Sequence, residues 1–151
     1  MSRHRADPDS SSAAALALDL HSLIGKLKRR LREQASAGDL TPSQTAVLVH
    51  LDRGGRTTVS TLARLEGVRP QSMGATVASL EGLGLVKGSP DPTDGRQTIL
   101  SLTPACQEMI RTGRAARQEW LLHAIQQRLT VQEQLQLKAA MRLLGRIVDT
   151  E

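Results

Sequence analysis

Near the start of the chain, apolar residues recur at three- and four-residue steps, at Leu16, Leu20, Leu23, Ile24, Leu27 and Leu31. That spacing is one face of an α-helix. It predicts a long amphipathic helix from Ala13 to about Ala37, stopped by Gly38, with Lys26, Lys28, Arg29, Arg30 and Arg32 on its polar side. The preceding stretch MSRHRADPDSSS is polar and aperiodic, and reads as a disordered arm over residues 1–12 ending in an N-cap at Ser11 or Ser12.

The pattern then shortens. Thr41-Pro42-Ser43-Gln44 is a helix start, with a threonine that can accept from the backbone, a proline suited to the first turn, and a glutamine placed to close a capping box. Val47, Leu48 and Leu51 follow it as far as Gly54-Gly55. Thr57-Thr58 opens a second short helix with Val59, Leu62, Ala63 and Leu65 inward, broken at Gly67-Val68, and Arg69-Pro70 opens a third with Met73, Val77, Leu80 and Leu83 inward. Helix, short glycine-containing turn, helix is the helix-turn-helix arrangement.

After Gly82 and Gly84 the period changes to that of strands. Leu85-Val86-Lys87 and Gln97 to Leu102 flank the turn-rich tip SPDPTDG, which predicts a β-hairpin, or wing. Thr103-Pro104 launches a long helix to about Arg128 carrying Ile110, Ala116, Trp120, Leu121, Ala124 and Ile125. Thr130 and Glu133 then frame a capping box for a last helix with Leu135, Ala139, Leu143, Leu144, Ile147 and Val148. The expected fold is mainly α with a small β-hairpin wing (α+β). Its parts are an arm at 1–12, a helix at 13–40, a winged helix-turn-helix at 41–103 and paired helices at 104–151.

Composition narrows the function. The 151 residues suit one domain-sized core. With 23 Leu, 17 Ala, one Trp and neither Phe nor Tyr, that core must be aliphatic. Modules for RNA and single strands need aromatic faces for unstacked bases, so a nucleic-acid partner should be duplex. Cys106 is alone, which excludes an intrachain disulfide and fits a reducing compartment. The absence of a membrane-length apolar run and of a signal-peptide pattern gives a cytoplasmic expectation, with no membrane partner. The net charge of +5 locates nothing, because residues 1–40, 53–103 and 104–151 each carry +2 and residues 41–52 carry −1.

From about Leu40 to Val148 the sequence resembles the MarR family (multiple antibiotic resistance regulators) of winged helix-turn-helix repressors. The residues that carry the resemblance are LTPSQTAVLVHL, VSTLARLEGVRPQSMGATVASLEGLGLV and DPTDGRQTILSLTPAC, with Asp94-x-Arg96 and Leu102-Thr103 as the wing signature. The resemblance implies a DNA-binding homodimer whose terminal helices intertwine. It also implies a wing arginine, Arg96, entering the minor groove while Asp94 holds it through a salt bridge.

The residues themselves supply the recognition surface. With Met73, Val77 and Leu80 inward, the outer side of the helix from Arg69 carries Gln71, Ser72, Ala75, Thr76 and Ser79. These short uncharged donors, acceptors and methyls suit base edges in a major groove. Arg69 stands where the family often has a capping Ser or Thr, and could instead meet a phosphate or a guanine. Lys87, Thr57, Thr58 and Ser60 are further candidates for phosphate contact.

The resemblance further implies modulation by a small effector entering a crevice beside the dimer helices. His21, His50 and Trp120 are the candidates to line it, and each also fits an ordinary packing or surface role. Cys106 reads either as a small buried residue or, at a helix start that lowers thiol pKa, as an oxidant sensor. No catalytic motif or metal-ligand spacing is present, so neither an enzyme nor a cofactor is expected. The competing readings are a winged-helix protein-interaction module and a non-specific architectural DNA-binding protein.

Overall fold

In a computed structural model, which describes residues 8–35 and 38–149, the chain runs through α1 (Pro8–Gln34), α2 (Pro42–Gly54), α3 (Val59–Glu66), α4 (Pro70–Gly82), β1 (Val86–Pro90), β2 (Thr98–Leu102), α5 (Pro104–Arg128) and α6 (Val131–Val148). It divides into two compact units, Ala37–Arg114 and a second made of Met1–Ser36 with Ala115–Glu151.

Local chemistry sets the element ends of the first unit. Thr41 Oγ1 accepts from the Gln44 N–H at 3.2 Å while Gln44 Oε1 accepts from the Thr41 N–H at 2.9 Å, the reciprocal pair expected at the start of α2. Thr58 caps α3 by accepting from the Thr61 N–H at 3.2 Å, and Gly67, at φ 65°, ends it in the left-handed conformation that glycine adopts without strain. At the N-cap of α4 Arg69 makes no side-chain cap bond, because a guanidinium has no acceptor.

The hairpin is antiparallel, pairing Val86 with Leu102, Gly88 with Leu100 and Pro90 with Thr98. Its first strand is longer than the sequence pattern suggests. A third segment joins it: Thr57 pairs with Leu100, donating to its carbonyl at 3.2 Å and accepting from its N–H at 2.7 Å. The base of the wing is thereby tied to the connection between α2 and α3.

The core beneath these elements is aliphatic. Val47, Leu48 and Leu51 of α2, Leu62 and Ala63 of α3, Met73, Val77 and Leu80 of α4, and Val86, Leu100 and Leu102 of the hairpin close around Cys106 at the start of α5. Truncating a member such as Leu80 to Ala would cost about 2–5 kcal/mol. Arg114 of α5 pairs with Asp52 of α2 at 3.1 Å on the rim.

The second unit is different in kind. Among the described residues neither α1 nor α6 has a buried side chain, and Leu16, Leu23, Leu135, Leu143 and Ile147 are all exposed, Ile147 by 67%. The capping box of α6 forms as expected, with Thr130 and Glu133 bonded both ways. α1 begins at Pro8, ahead of the cap expected at Ser11 or Ser12. Proline needs no N–H partner in a first turn and starts the helix early. Of the arm expected at 1–12, residues 1–7 lie outside the described residues and the remainder is helical. No helix among the described residues is long and apolar enough to cross a membrane.

Candidate nucleic-acid interface

α4 packs against α3 and α2 through Met73, Val77 and Leu80, which turns the opposite face outward. Arg69, Gln71, Ser72 and Ala75 are exposed there, and Gln71, Ser72 and Ala75 present small groups over the first turns of the helix. Thr76 is half-buried and its Oγ1 donates to the Ser72 carbonyl at 3.2 Å, which leaves the hydroxyl able to accept.

Ser79 does not share that freedom. Its hydroxyl donates to the Thr76 carbonyl at 2.6 Å and accepts from Gln44 Nε2 at 2.9 Å. A hydroxyl bonded on both sides within the protein is a poor reader of bases, so the outward stripe divides into an open first half and an anchored end. The cap role of Gln44 is legible in the sequence but this second bond is not, because a partner 35 residues away leaves no local signal.

At the wing tip the backbone closes through Asp91 N–H to the Gln97 carbonyl, 2.9 Å, and Gln97 N–H to the Asp94 carbonyl, 3.0 Å. Asp91 Oδ1 accepts from both the N–H and the hydroxyl of Thr93, at 2.9 and 2.8 Å. These two bonds, the backbone one first, hold the Asp91 carboxyl below its ordinary pKa.

The Asp94–Arg96 salt bridge that the family resemblance implies does not form. Asp94 Oδ1 accepts from the backbone N–H of Arg96 at 3.1 Å, and no acidic side chain pairs with the Arg96 guanidinium among the described residues. The reason is reach: a short carboxylate satisfies the backbone two residues on before it can meet the end of an arginine. The carboxylate shapes the tip, and the exposed guanidinium keeps its donors.

Other candidates lie elsewhere. Strand alternation sets Lys87 on the face opposite Val86, where with Arg56, Asp52, Ser101 and Gln107 it lines a shallow cleft of about 270 Å³ between the end of α2 and the start of α5. The Thr57 backbone is spent on Leu100 and the Thr58 hydroxyl on Thr61, while Ser60 stays exposed.

His50 is engaged with Glu66, Nε2 to Oε1 at 2.5 Å, which joins α2 to α3 and gives the ring a structural partner. His21 is exposed on α1 and Trp120 half-buried on α5, both in the second unit. Cys106 is fully buried, and burial first, then the Asp52 charge, pushes its thiol pKa up. That is opposite to the shift a reactive thiolate needs, so the structure favours the small buried residue over the sensor.

Comparison with known proteins agrees with this geometry. The MarR family model matches residues 38–97. An uncharacterized HTH-type transcriptional regulator of Mycobacterium bovis is 37% identical over 138 residues, covering 91% of this chain and 96% of its own. A crystal structure of a Pseudomonas aeruginosa protein described as a transcriptional regulator superposes with a TM-score of 0.78 at 35% identity, covering 93% of this chain and 98% of that one. A Staphylococcus aureus MepR mutant bound to an oligodeoxyribonucleotide shares the fold, with a TM-score of 0.69 at 17% identity over 89% of this chain and 98% of its own. With a helix-turn-helix and wing built from its own residues, and these relatives along nearly its whole length, the chain belongs to the MarR family and is a DNA-binding transcriptional regulator, not an enzyme.

Proposed function

We propose that the protein is a homodimeric repressor that acts in the cytoplasm and reads a pseudo-palindromic duplex. α4 would enter the major groove with Gln71, Ser72, Ala75 and Thr76 against base edges, while Arg96 of the wing enters the adjacent minor groove. Arg69 contacts a phosphate or guanine beside the start of α4, and Lys87 is a more distant candidate for the backbone.

The observation that carries this reading is the contrast between engaged and free groups. Among the described residues, side chains over the first turns of α4 and the Arg96 guanidinium make no bonds that would withhold them from a ligand, whereas the Ser79 and Thr58 hydroxyls and the Asp94 carboxylate are bonded within the fold. That the MepR mutant, which shares the fold, is bound to an oligodeoxyribonucleotide supports DNA as the ligand.

One helix-turn-helix reads a half-site, and two-fold symmetry brings a second about 10 bp away. The uncovered leucines of α1 and α6 supply the surface on which a second copy would bury itself. The reading extends to modulation of DNA affinity by a small effector. Because His50 is held by Glu66, His21 and Trp120 are the remaining residues assigned to that role.

The test is selection of bound duplexes from a random pool by the purified protein. A two-fold symmetric motif with half-sites about one helical turn apart is expected. Recovery of no enriched motif overturns the proposal.

A further inference from the structure

Gln44 uses both ends of its side-chain amide. Oε1 accepts from the Thr41 N–H and completes the cap of α2, while Nε2 donates to Ser79 Oγ, both at 2.9 Å. Ser79 passes the connection on by donating to the Thr76 carbonyl. Among the described residues this is the one side-chain hydrogen bond that joins α4 to another helix.

The remaining attachments of α4 to its neighbouring helices are apolar, through Met73, Val77 and Leu80. Close packing of these side chains sets which face of the helix turns inward, within the small rolls that rotamer adjustment allows. A hydrogen bond has a preferred length and direction, and the half-buried Gln44 is itself fixed at its other end by the cap. Ser79 lies on the same outward stripe as Ser72 and Ala75, three or four residues apart at each step. Whatever sets the azimuth of Ser79 sets theirs.

We propose that Gln44 is a positioning residue for sequence readout, fixing the rotation of α4 through Ser79 and thereby the alignment of Gln71 and Ser72 with base edges. The inference rests on α4 being the base-reading helix. Bidentate recognition of a base by glutamine works only within about 0.5 Å and 10–20° of the productive geometry, so a small roll of α4 costs discrimination while leaving phosphate contacts largely intact.

The test uses the purified full chain and measures affinity for the selected operator and for an unrelated duplex of equal length. The variants are Gln44→Ala, Ser79→Ala, the two combined, Gln44→Glu and Gln71→Ala, each checked for folding by circular dichroism. Gln44→Ala and Ser79→Ala should each lower the ratio of specific to non-specific affinity about three- to tenfold, the scale of one net hydrogen bond. The double variant should be no worse than the worse single, because both act through one contact.

Gln44→Glu keeps an acceptor for the cap, and because the Ser79 hydroxyl can donate to the second carboxylate oxygen in place of accepting from the amide, it should retain more of the ratio than Gln44→Ala does. A wild-type ratio in Gln44→Ala, or additive losses in the double variant, overturns the proposal. If instead Gln71→Ala leaves the base preference unchanged, the reading of α4 itself fails, and the positioning role fails with it.

Discussion

The carboxylate of Asp94 holds the backbone N–H of Arg96, 3.1 Å away, and not its guanidinium. The two residues of the wing signature therefore divide their work: one bends the tip and the other points out of it. Arg96→Ala should weaken binding to every duplex and lower the slope of log affinity against log salt by about one. Asp94→Asn keeps an Oδ1 acceptor for the same N–H and should bind DNA nearly as the native protein does, whereas Asp94→Ala should not. Anisotropy titrations over a salt series distinguish these outcomes, and a large loss in Asp94→Asn would show that the charge acts on the guanidinium after all.

The wing tip should also respond to acid in a defined window. Hydrogen bonds from Thr93 stabilise the ionised Asp91, so its pKa in the folded tip lies below the ordinary 3.8. For a carboxyl so shifted, the stabilising contribution is complete above the ordinary pKa and is lost as pH falls below it through the folded value. The Thr93 amide resonance should hold its position down to about pH 4–5 and move only below that. In Asp91→Asn the movement should vanish.

Gly88 lies where the wing crosses the end of α4. A Cβ built there would stand 2.7 Å from Thr98 Cγ2, and 3.5 Å from Glu81 Oε1. Gly88→Ala should therefore destabilise the winged unit by about 1–3 kcal/mol through overpacking. Thr98→Ser removes the offending methyl and should restore most of that loss in the double variant. Thermal denaturation measures both, and the absence of rescue would place the strain elsewhere.

Ile147 is 67% exposed in the single chain, so a polar replacement should change the stability of an isolated copy by no more than about 0.5 kcal/mol. In a dimer built on α1 and α6 the same change places a charge in an apolar contact. Ile147→Glu should sediment as a folded monomer and lose about 100-fold in operator affinity, the scale expected when two linked half-sites become one. An unchanged mass would move the dimer contact away from α6.

What the sequence reveals and what it hides follow from distance along the chain. Both capping boxes, the glycine ending α3 and the burial of Met73, Val77 and Leu80 depend on residues three or four apart, and each is legible as a pattern. The bond from Gln44 to Ser79, the pair of His50 with Glu66 and the backbone bridge of Thr57 with Leu100 join distant segments and carry no periodic signal. They also reassign residues: the Ser79 hydroxyl and the His50 ring look available in the sequence and are occupied in the fold. For the Asp94–Arg96 pair, the spacing was plain, but the atom that Asp94 would grip depended on the turn it makes.

The near-absence of aromatic residues has an optical consequence. Trp120, the single aromatic side chain, lies on α5 in the unit that starts again at Ala115, and Ala37–Arg114 contains none. Intrinsic fluorescence therefore reports on the long helices alone, and the DNA-reading unit is dark. A change in tryptophan emission when a duplex is added would report a change around α5, measured without any label.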